Sequence, residues 1–106
     1  MAAWAPNHKK NIEILEKDES KVKVPKKYKV ILHNDDYTTM DFVVDILINI
    51  FRKNLEQATQ LMMTVHQQGA AVVGVYTREI AETKVYQVHQ SAAKNQYPLK
   101  ASMEPE

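Results

Sequence analysis

The sequence predicts one α+β domain over residues 27–106, with a three-stranded antiparallel sheet packed against three helices and a flexible arm of residues 1–26 before it. A chain of 106 residues has the length of a single domain. Apolar residues recur at helical spacing in three stretches, and short β-prone runs lie before, between and after them. The resulting order, β-α-α-β-α-β, favours one sheet with its helices on one side.

The arm, residues 1–26, is rich in lysine, weakly apolar and closes near Pro25. Nothing in it sustains an amphipathic helix, so we expect a flexible segment. A tail that only keeps the protein in solution is an equally good interpretation of these residues.

The first strand is predicted at residues 28–32, where a short β-prone run ends at the turn sequence Asn-Asp-Asp of 34–36. Thr38 stands three residues before Asp41, close to a capping box, and predicts the start of the first helix. One face of that helix is apolar, because the spacing is i, i+3, i+4, i+7 and i+8. Its members are Val43, Ile46, Leu47, Ile50 and Phe51.

Asn54 and Gln57 predict the start of the second helix, and Gly69 its end. The run at 71–76 has the length of a strand, and Thr77 begins a third helix that ends near Asn95. The inward side chains of the second helix are predicted to be Ala58, Leu61, Met62 and Val65. Those of the third helix are predicted to be Ala81, Val85, Val88 and Ala92. A final strand is predicted from the alternation of Leu99, Ala101 and Met103.

Composition argues against several classes of function. The chain has no cysteine and two glycines, which excludes a disulfide framework, a thiolate metal site and a glycine-rich phosphate loop. No metal-ligand spacing and no nucleophile elbow is present, so we expect neither a cofactor nor an enzyme. The apolar runs are shorter than the roughly 20 residues that span a bilayer, and the N-terminus lacks signal-peptide features. These observations predict a cytoplasmic protein.

The polar loop between the first strand and the first helix, residues 33–40, is the strongest candidate site. Without a further clue, turn and capping chemistry alone is the favoured interpretation of such residues. His66 has two interpretations of the same kind, since a histidine near a helix C-terminus also interacts well with the helix dipole. Met40 and Met62 are typical of core filling, yet flexible thioethers beside polar groups also suit a pocket that accepts several apolar shapes.

Four segments in this order resemble the ClpS adaptor family of the bacterial N-end rule pathway. They are KVILHNDDYTTMDFV at 29–43, ATQLMMTVHQQG at 58–69, GVYTREIAETK at 74–84 and YPL at 97–99. The resemblance covers about residues 27–103, and the arm does not share it. Thr39 departs from the family pattern, which commonly has proline there, at what we expect to be the first helical position.

The resemblance implies an adaptor that binds the free, bulky N-terminal residue of N-degron substrates (Leu, Phe, Tyr or Trp) and delivers them to the ClpA unfoldase of the ClpAP protease. It implies that Asn34, Asp35 and His66 bind the α-amino group. A hydrophobic pocket, with Met40 as a gate against β-branched residues, would consist of Thr38, Met40, Val43, Met62, Val65 and Leu99. Docking on the N-terminal domain of the AAA+ unfoldase would involve Tyr37, Glu79 and Lys84.

Charge motivates an alternative function, a small ribosome- or RNA-associated module. Residues 1–29 carry eight lysines and four acidic residues, and the predicted topology is similar to that of a small ribosomal stalk domain. Residues 30–106, however, carry six basic and nine acidic residues. A nucleic-acid-binding domain is expected to show a basic patch on its folded part, so this distribution favours the adaptor.

Overall fold

The computed structural model describes residues 24–106, so most of the predicted arm lies outside the described residues. The element order is β-α-α-β-α-β, which confirms the predicted fold class. The elements are β1 (Lys27–His33), α1 (Met40–Asn49), α2 (Leu55–Gln68), β2 (Ala70–Thr77), α3 (Arg78–Lys94) and β3 (Lys100–Pro105).

The sheet is antiparallel, with β1 in the centre and the strand order β2-β1-β3. His33, the last residue of β1, pairs with Ala70 of β2 and Lys100 of β3. At the other end of the sheet, Lys27 pairs with Thr77. Because α2 runs into β2 through Gly69, the loop that follows β1 lies beside the C-terminal end of α2.

The start of α1 corrects the sequence prediction by one residue. The N-cap is Thr39, whose hydroxyl oxygen accepts a hydrogen bond from the backbone N–H of Phe42 at 3.2 Å. The hydroxyl and N–H of Thr38 both donate to the Asp35 carboxylate instead. A charged acceptor forms the stronger hydrogen bonds, so Thr38 is engaged in the loop and the next hydroxyl caps the helix. The family pattern suggested that Thr39 is the first helical residue. In the structure it is instead the N-cap, and the helix begins at Met40.

The ends of α2 confirm the prediction. Asn54 and Gln57 form both hydrogen bonds of a capping box, at 2.8 and 3.2 Å. Gly69 ends the helix with a φ of 89°, in the left-handed region that glycine adopts without steric cost. The third helix begins after Thr77 and ends at Asn95 as predicted, although the Thr77 side chain makes no capping hydrogen bond.

The core fills the space between the sheet and the three helices. Among the predicted inward residues, Ile50, Leu61, Val85 and Met103 are only half-buried. The buried apolar residues are Val30, Leu32, Val43, Ile46, Leu47, Phe51, Ala58, Met62, Val65, Val73, Ala81, Val88, Ala92, Leu99 and Ala101.

No helix among residues 24–106 is both long enough and apolar enough to span a membrane.

Candidate functional site

A cavity of about 430 Å³ lies where β1 ends, between the loop that follows it, the first turn of α1 and the last turns of α2. Its volume falls in the range of roughly 300–1,000 Å³ that is usual for small-ligand sites. The residues that line it are Asn34, Asp35, Asp36, Tyr37, Thr38, Thr39, Met40, Val43, Met62, Val65 and His66.

The floor of the cavity is apolar because two helices each present one face to it. Met62 and Val65 lie three residues apart on α2, and Met40 and Val43 are spaced in the same way on α1. Val43, Met62 and Val65 are buried and belong to the hydrophobic core. Met40 is 43% exposed and stands at the rim. The cavity is thus an extension of the core that opens to solvent.

The polar side of the mouth is assembled by one backbone contact. The N–H of Asn34 donates to the carbonyl oxygen of Gly69 at 2.8 Å, which ties the loop after β1 to the C-terminal end of α2. His66 lies in the last turn of the same helix, and its side chain is exposed. The carboxamide of Asn34 and the imidazole of His66 therefore line one opening.

The Asp35 carboxylate organises the loop. One oxygen, Oδ1, accepts the backbone N–H groups of Tyr37 and Thr38 at 2.8 and 2.7 Å. The other, Oδ2, accepts the Thr38 hydroxyl at 2.7 Å. Burial raises the pKa of this carboxyl, but the hydrogen bonds from Thr38 and Tyr37 outweigh it and hold the pKa below its ordinary value. Asp35 consequently carries a negative charge at neutral pH.

The site combines hydrogen-bond acceptors at the mouth with an apolar floor. A carboxamide oxygen, a carboxylate and an unprotonated imidazole nitrogen can all accept from a cationic N–H group. Among residues 24–106, no group of three or more histidine, aspartate and glutamate side chains is arranged to hold a metal ion. The arrangement suits a ligand that has a positive nitrogen next to a hydrophobic group.

All the pocket residues predicted from the family resemblance line this cavity, except Leu99. That side chain is 4% exposed, in the core immediately before β3, and is not part of the cavity wall. Asp36 and Thr39 also line the cavity, although neither was predicted to take part in binding. Their position inside the polar loop was the one available signal.

The three predicted docking residues lie on the loop after β1 and on α3. Tyr37 is 78% exposed and lies in the loop after β1. Glu79 is in the first turn of α3, which follows Thr77 at the opposite end of the sheet. Lys84 is half-buried: its Nζ donates to the carbonyl oxygen of Ile50 at 2.7 Å, at the end of α1.

The cavity and the fold define a small binding domain, and comparison with known proteins identifies its family. Residues 23–102 match the family described as ATP-dependent Clp protease adaptor protein ClpS. The chain therefore belongs to the ClpS family of Clp protease adaptors, which confirms the resemblance found in the sequence.

Relatives in this family align over most of their length. The ClpS of Oleidesulfovibrio alaskensis is 56% identical over 86 residues, which is 81% of this chain and 83% of the relative. The ClpS of Syntrophus aciditrophicus is 58% identical over 86 residues, 81% of this chain and 80% of the relative. The solved structure of Agrobacterium tumefaciens ClpS2 bound to L-phenylalaninamide is similar with a TM-score of 0.76 and 43% identity. The match between the two structures covers 78% of this chain and 100% of the ClpS2 chain.

Proposed function

We propose that this adaptor binds substrate proteins through a free N-terminal Leu, Phe, Tyr or Trp and delivers them to the ClpA unfoldase of the ClpAP protease. In this way it modulates which substrates ClpAP degrades. The adaptor acts in the cytoplasm, without a cofactor and without chemistry of its own. The observation that carries the proposal is the cavity with acceptors at its mouth and core residues as its floor.

A free N-terminus matches the polar side of the mouth. Its α-amino group has a pKa of about 7.7–8.0, so it is mostly an ammonium with three donors at neutral pH. The carboxamide oxygen of Asn34 and a ring nitrogen of His66 can accept hydrogen bonds from it, and the charged Asp35 carboxylate adds a favourable potential. An acetylated terminus has no charge and fewer donors, and would leave these acceptors without partners.

The first side chain of the substrate matches the floor. Burial of a Leu- or Phe-sized group against Val43, Met62 and Val65 contributes roughly 1.5–3 kcal/mol. A small residue leaves this space unfilled, and a residue branched at Cβ meets Met40 at the rim. The similar structure of ClpS2 supports this arrangement, since its ligand, L-phenylalaninamide, joins a free α-amino group to a benzyl side chain.

The expected affinity is modest. Two or three hydrogen bonds to a charged group add about 1.5–3 kcal/mol each to the hydrophobic contribution. The total is at most about 12 kcal/mol, and association costs at least about 4 kcal/mol. The net binding free energy then corresponds to a Kd of about 1 μM at best. Such strength suits an adaptor that must also release its substrate.

Three peptides with a C-terminal dye and identical sequences after the first residue test the proposal by fluorescence anisotropy. One begins with Phe, one with acetyl-Phe and one with Ile, and we expect only the first to bind well. Equal binding of all three would contradict the proposal. An RNA oligonucleotide titrated at two salt concentrations tests the alternative function, because salt-sensitive RNA binding together with indifference to peptide termini would favour it.

Delivery requires a surface for the unfoldase, and we propose that Tyr37, Glu79 and Lys84 contribute to it. Glu79 is exposed and lines no part of the peptide cavity, so Glu79→Ala should weaken binding to the N-terminal domain of ClpA and leave peptide affinity unchanged. Lys84 also anchors the end of α1, so a Lys84→Ala protein needs a thermal unfolding measurement beside the binding assay. Undiminished ClpA binding by Glu79→Ala would contradict this assignment.

A further inference from the structure

Tyr97 lies outside the cavity but touches the turn of α1 that carries Met40. Its ring centroid is 4.7 Å from that of Phe42, with the two ring planes at 45°. Its hydroxyl oxygen accepts a hydrogen bond from the Thr39 hydroxyl at 3.5 Å. Thr39 is the N-cap immediately before Met40, and it also accepts the backbone N–H of Phe42. Tyr97 therefore contacts residues on both sides of Met40.

The backbone of Tyr97 is itself fixed to the end of α3. Its N–H donates to the carbonyl oxygen of Ala92 at 2.8 Å, and the N–H of Gln96 donates to that of Ala93 at 3.1 Å. Gln96 has a φ of 61°. This is the Schellman arrangement, in which the second residue after the cap is held against the last turn of its helix. The ring thus rests on an element that contributes nothing to the cavity wall.

We propose that Tyr97 is a positioning residue that sets the substrate selectivity of the cavity by holding Met40 at its rim. The inference rests on the proposed function, because it needs an N-terminal residue as the ligand. Met40 is 43% exposed and has a flexible side chain, so its position depends on the backbone of the first turn of α1. The contacts of Tyr97 with Phe42 and Thr39 keep that turn in place.

The aromatic ring of Tyr97 contributes more to holding the first turn of α1 than its hydroxyl does. A hydroxyl–hydroxyl separation of 3.5 Å exceeds the usual hydrogen-bond length, whereas a centroid separation of 4.7 Å lies within the favourable range for aromatic pairs. Tyr97→Phe should therefore keep the selectivity of the wild-type protein, and Tyr97→Ala should lose it.

The test compares peptides that begin with Leu and with Ile, which contain the same atoms and differ only in where the side chain branches. The readout is the ratio of their dissociation constants, Ile over Leu. In Tyr97→Ala we expect this ratio to fall roughly two- to tenfold, the effect of losing one aromatic contact. A lower fraction of folded protein would weaken both peptides alike and leave the ratio unchanged. Tyr97→Leu, which keeps an apolar side chain, gives the same measurement if Tyr97→Ala does not fold.

Two further variants complete the design. Tyr86→Ala removes an exposed tyrosine of α3 that is not part of the cavity wall, and it should keep the wild-type ratio. In a Met40→Ala background, Tyr97→Ala should not change the ratio further, because the two residues act through one gate. A wild-type ratio in both Tyr97→Ala and Tyr97→Leu, or a lowered ratio in Tyr97→Phe, would overturn the inference. A wild-type protein that binds free and acetylated termini equally would instead overturn the proposed function.

Discussion

Asp35 shapes the binding loop through contacts within the protein. A carboxylate has about four lone-pair sites, and three of them here accept hydrogen bonds from Tyr37 and Thr38. About one site remains for a ligand or for a bridging water. We therefore expect Asp35 to contribute mainly by its charge and by holding the loop, and Asn34 and His66 to make the closer contacts with an ammonium group.

The lowered pKa of Asp35 predicts a pH-dependent contribution to stability. At a pH between the folded-state and unfolded-state pKa of Asp35, the unfolded chain binds more protons than the folded one. The stabilisation from Asp35 is therefore complete above the unfolded-state pKa, near pH 4, and is lost as the pH falls through the folded-state pKa. Asp35→Asn cannot titrate. The difference in free energy of unfolding between wild type and Asp35→Asn, from urea denaturation, should narrow as the pH falls from 6 toward 3. A difference that is constant over this range would contradict the prediction.

His66 is expected to affect binding and not folding. Its side chain is exposed at the end of α2, so His66→Ala should leave the unfolding temperature nearly unchanged. Loss of one hydrogen bond to an ammonium group should weaken binding of a Phe-initiated peptide by roughly ten- to a hundredfold. Gln67→Ala is a matched control, because Gln67 is the next exposed residue of the same helix and is not part of the cavity wall. Equal affinity of the two variants, measured by calorimetry, would exclude His66 as an acceptor.

The ends of α2 and α3 use the left-handed conformation with different residues. Gly69 ends α2 with a φ of 89°, and Gln96 follows α3 with a φ of 61°. Glycine adopts this region freely, whereas a residue with a Cβ is strained there. The end of α2 also supports the site, because the carbonyl oxygen of Gly69 holds Asn34.

Substitutions at these two ends should have opposite effects on stability. An added Cβ at Gly69 would meet no atom within 4 Å, so the cost of Gly69→Ala is confined to the backbone and should be about 1 kcal/mol. Gln96→Gly relieves the same strain and should stabilise the protein. The gain should be smaller than the cost of Gly69→Ala, because glycine also gives the unfolded chain more conformational entropy. Chemical denaturation measures both. A neutral Gly69→Ala would show that the end of α2 adapts without cost.

Local signals explain which elements the sequence predicted well. The boundaries of α2 were accessible because Asn54, Gln57 and Gly69 each act within a few residues. The start of α1 was misplaced by one residue because two adjacent threonines carry the same hydroxyl, and only the competition for Asp35 decides which one caps the helix. Helix and strand periods were strong enough to predict the fold class.

Contacts between distant parts of the chain explain what the sequence could not predict. Alternation in the last strand was consistent with a buried Leu99, but no local pattern could show that it packs in the core and not in the cavity wall. The contact between Phe42 and Tyr97 joins α1 to the segment after α3 and is equally invisible in the sequence. The gathering of the cavity residues was predicted through the family resemblance, because periodicity alone could not relate the polar loop to α2.

At the scale of the whole molecule, the core and the cavity share residues, and both are built from the sequence range 30–101. The floor residues Val43, Met62 and Val65 belong to both. A ligand that fills the cavity thus adds to the same apolar cluster that stabilises the fold. Residues 24–26, the part of the arm that the structure describes, belong to neither. We propose that residues 1–26 form a separate arm that serves delivery and not recognition.

Deletion of residues 1–26 tests this division of roles. The truncated protein keeps β1 from Lys27 onward, with all the core and cavity-wall residues that the structure shows within residues 24–106. We therefore expect its affinity for a Phe-initiated peptide to equal that of the full chain, while ClpAP-dependent degradation of a Phe-initiated protein stops. Anisotropy measures the first quantity, and loss of a fluorescent substrate measures the second. Degradation at the wild-type rate would show that residues 1–26 are a passive tail, whereas loss of peptide binding would show that recognition extends beyond the cavity.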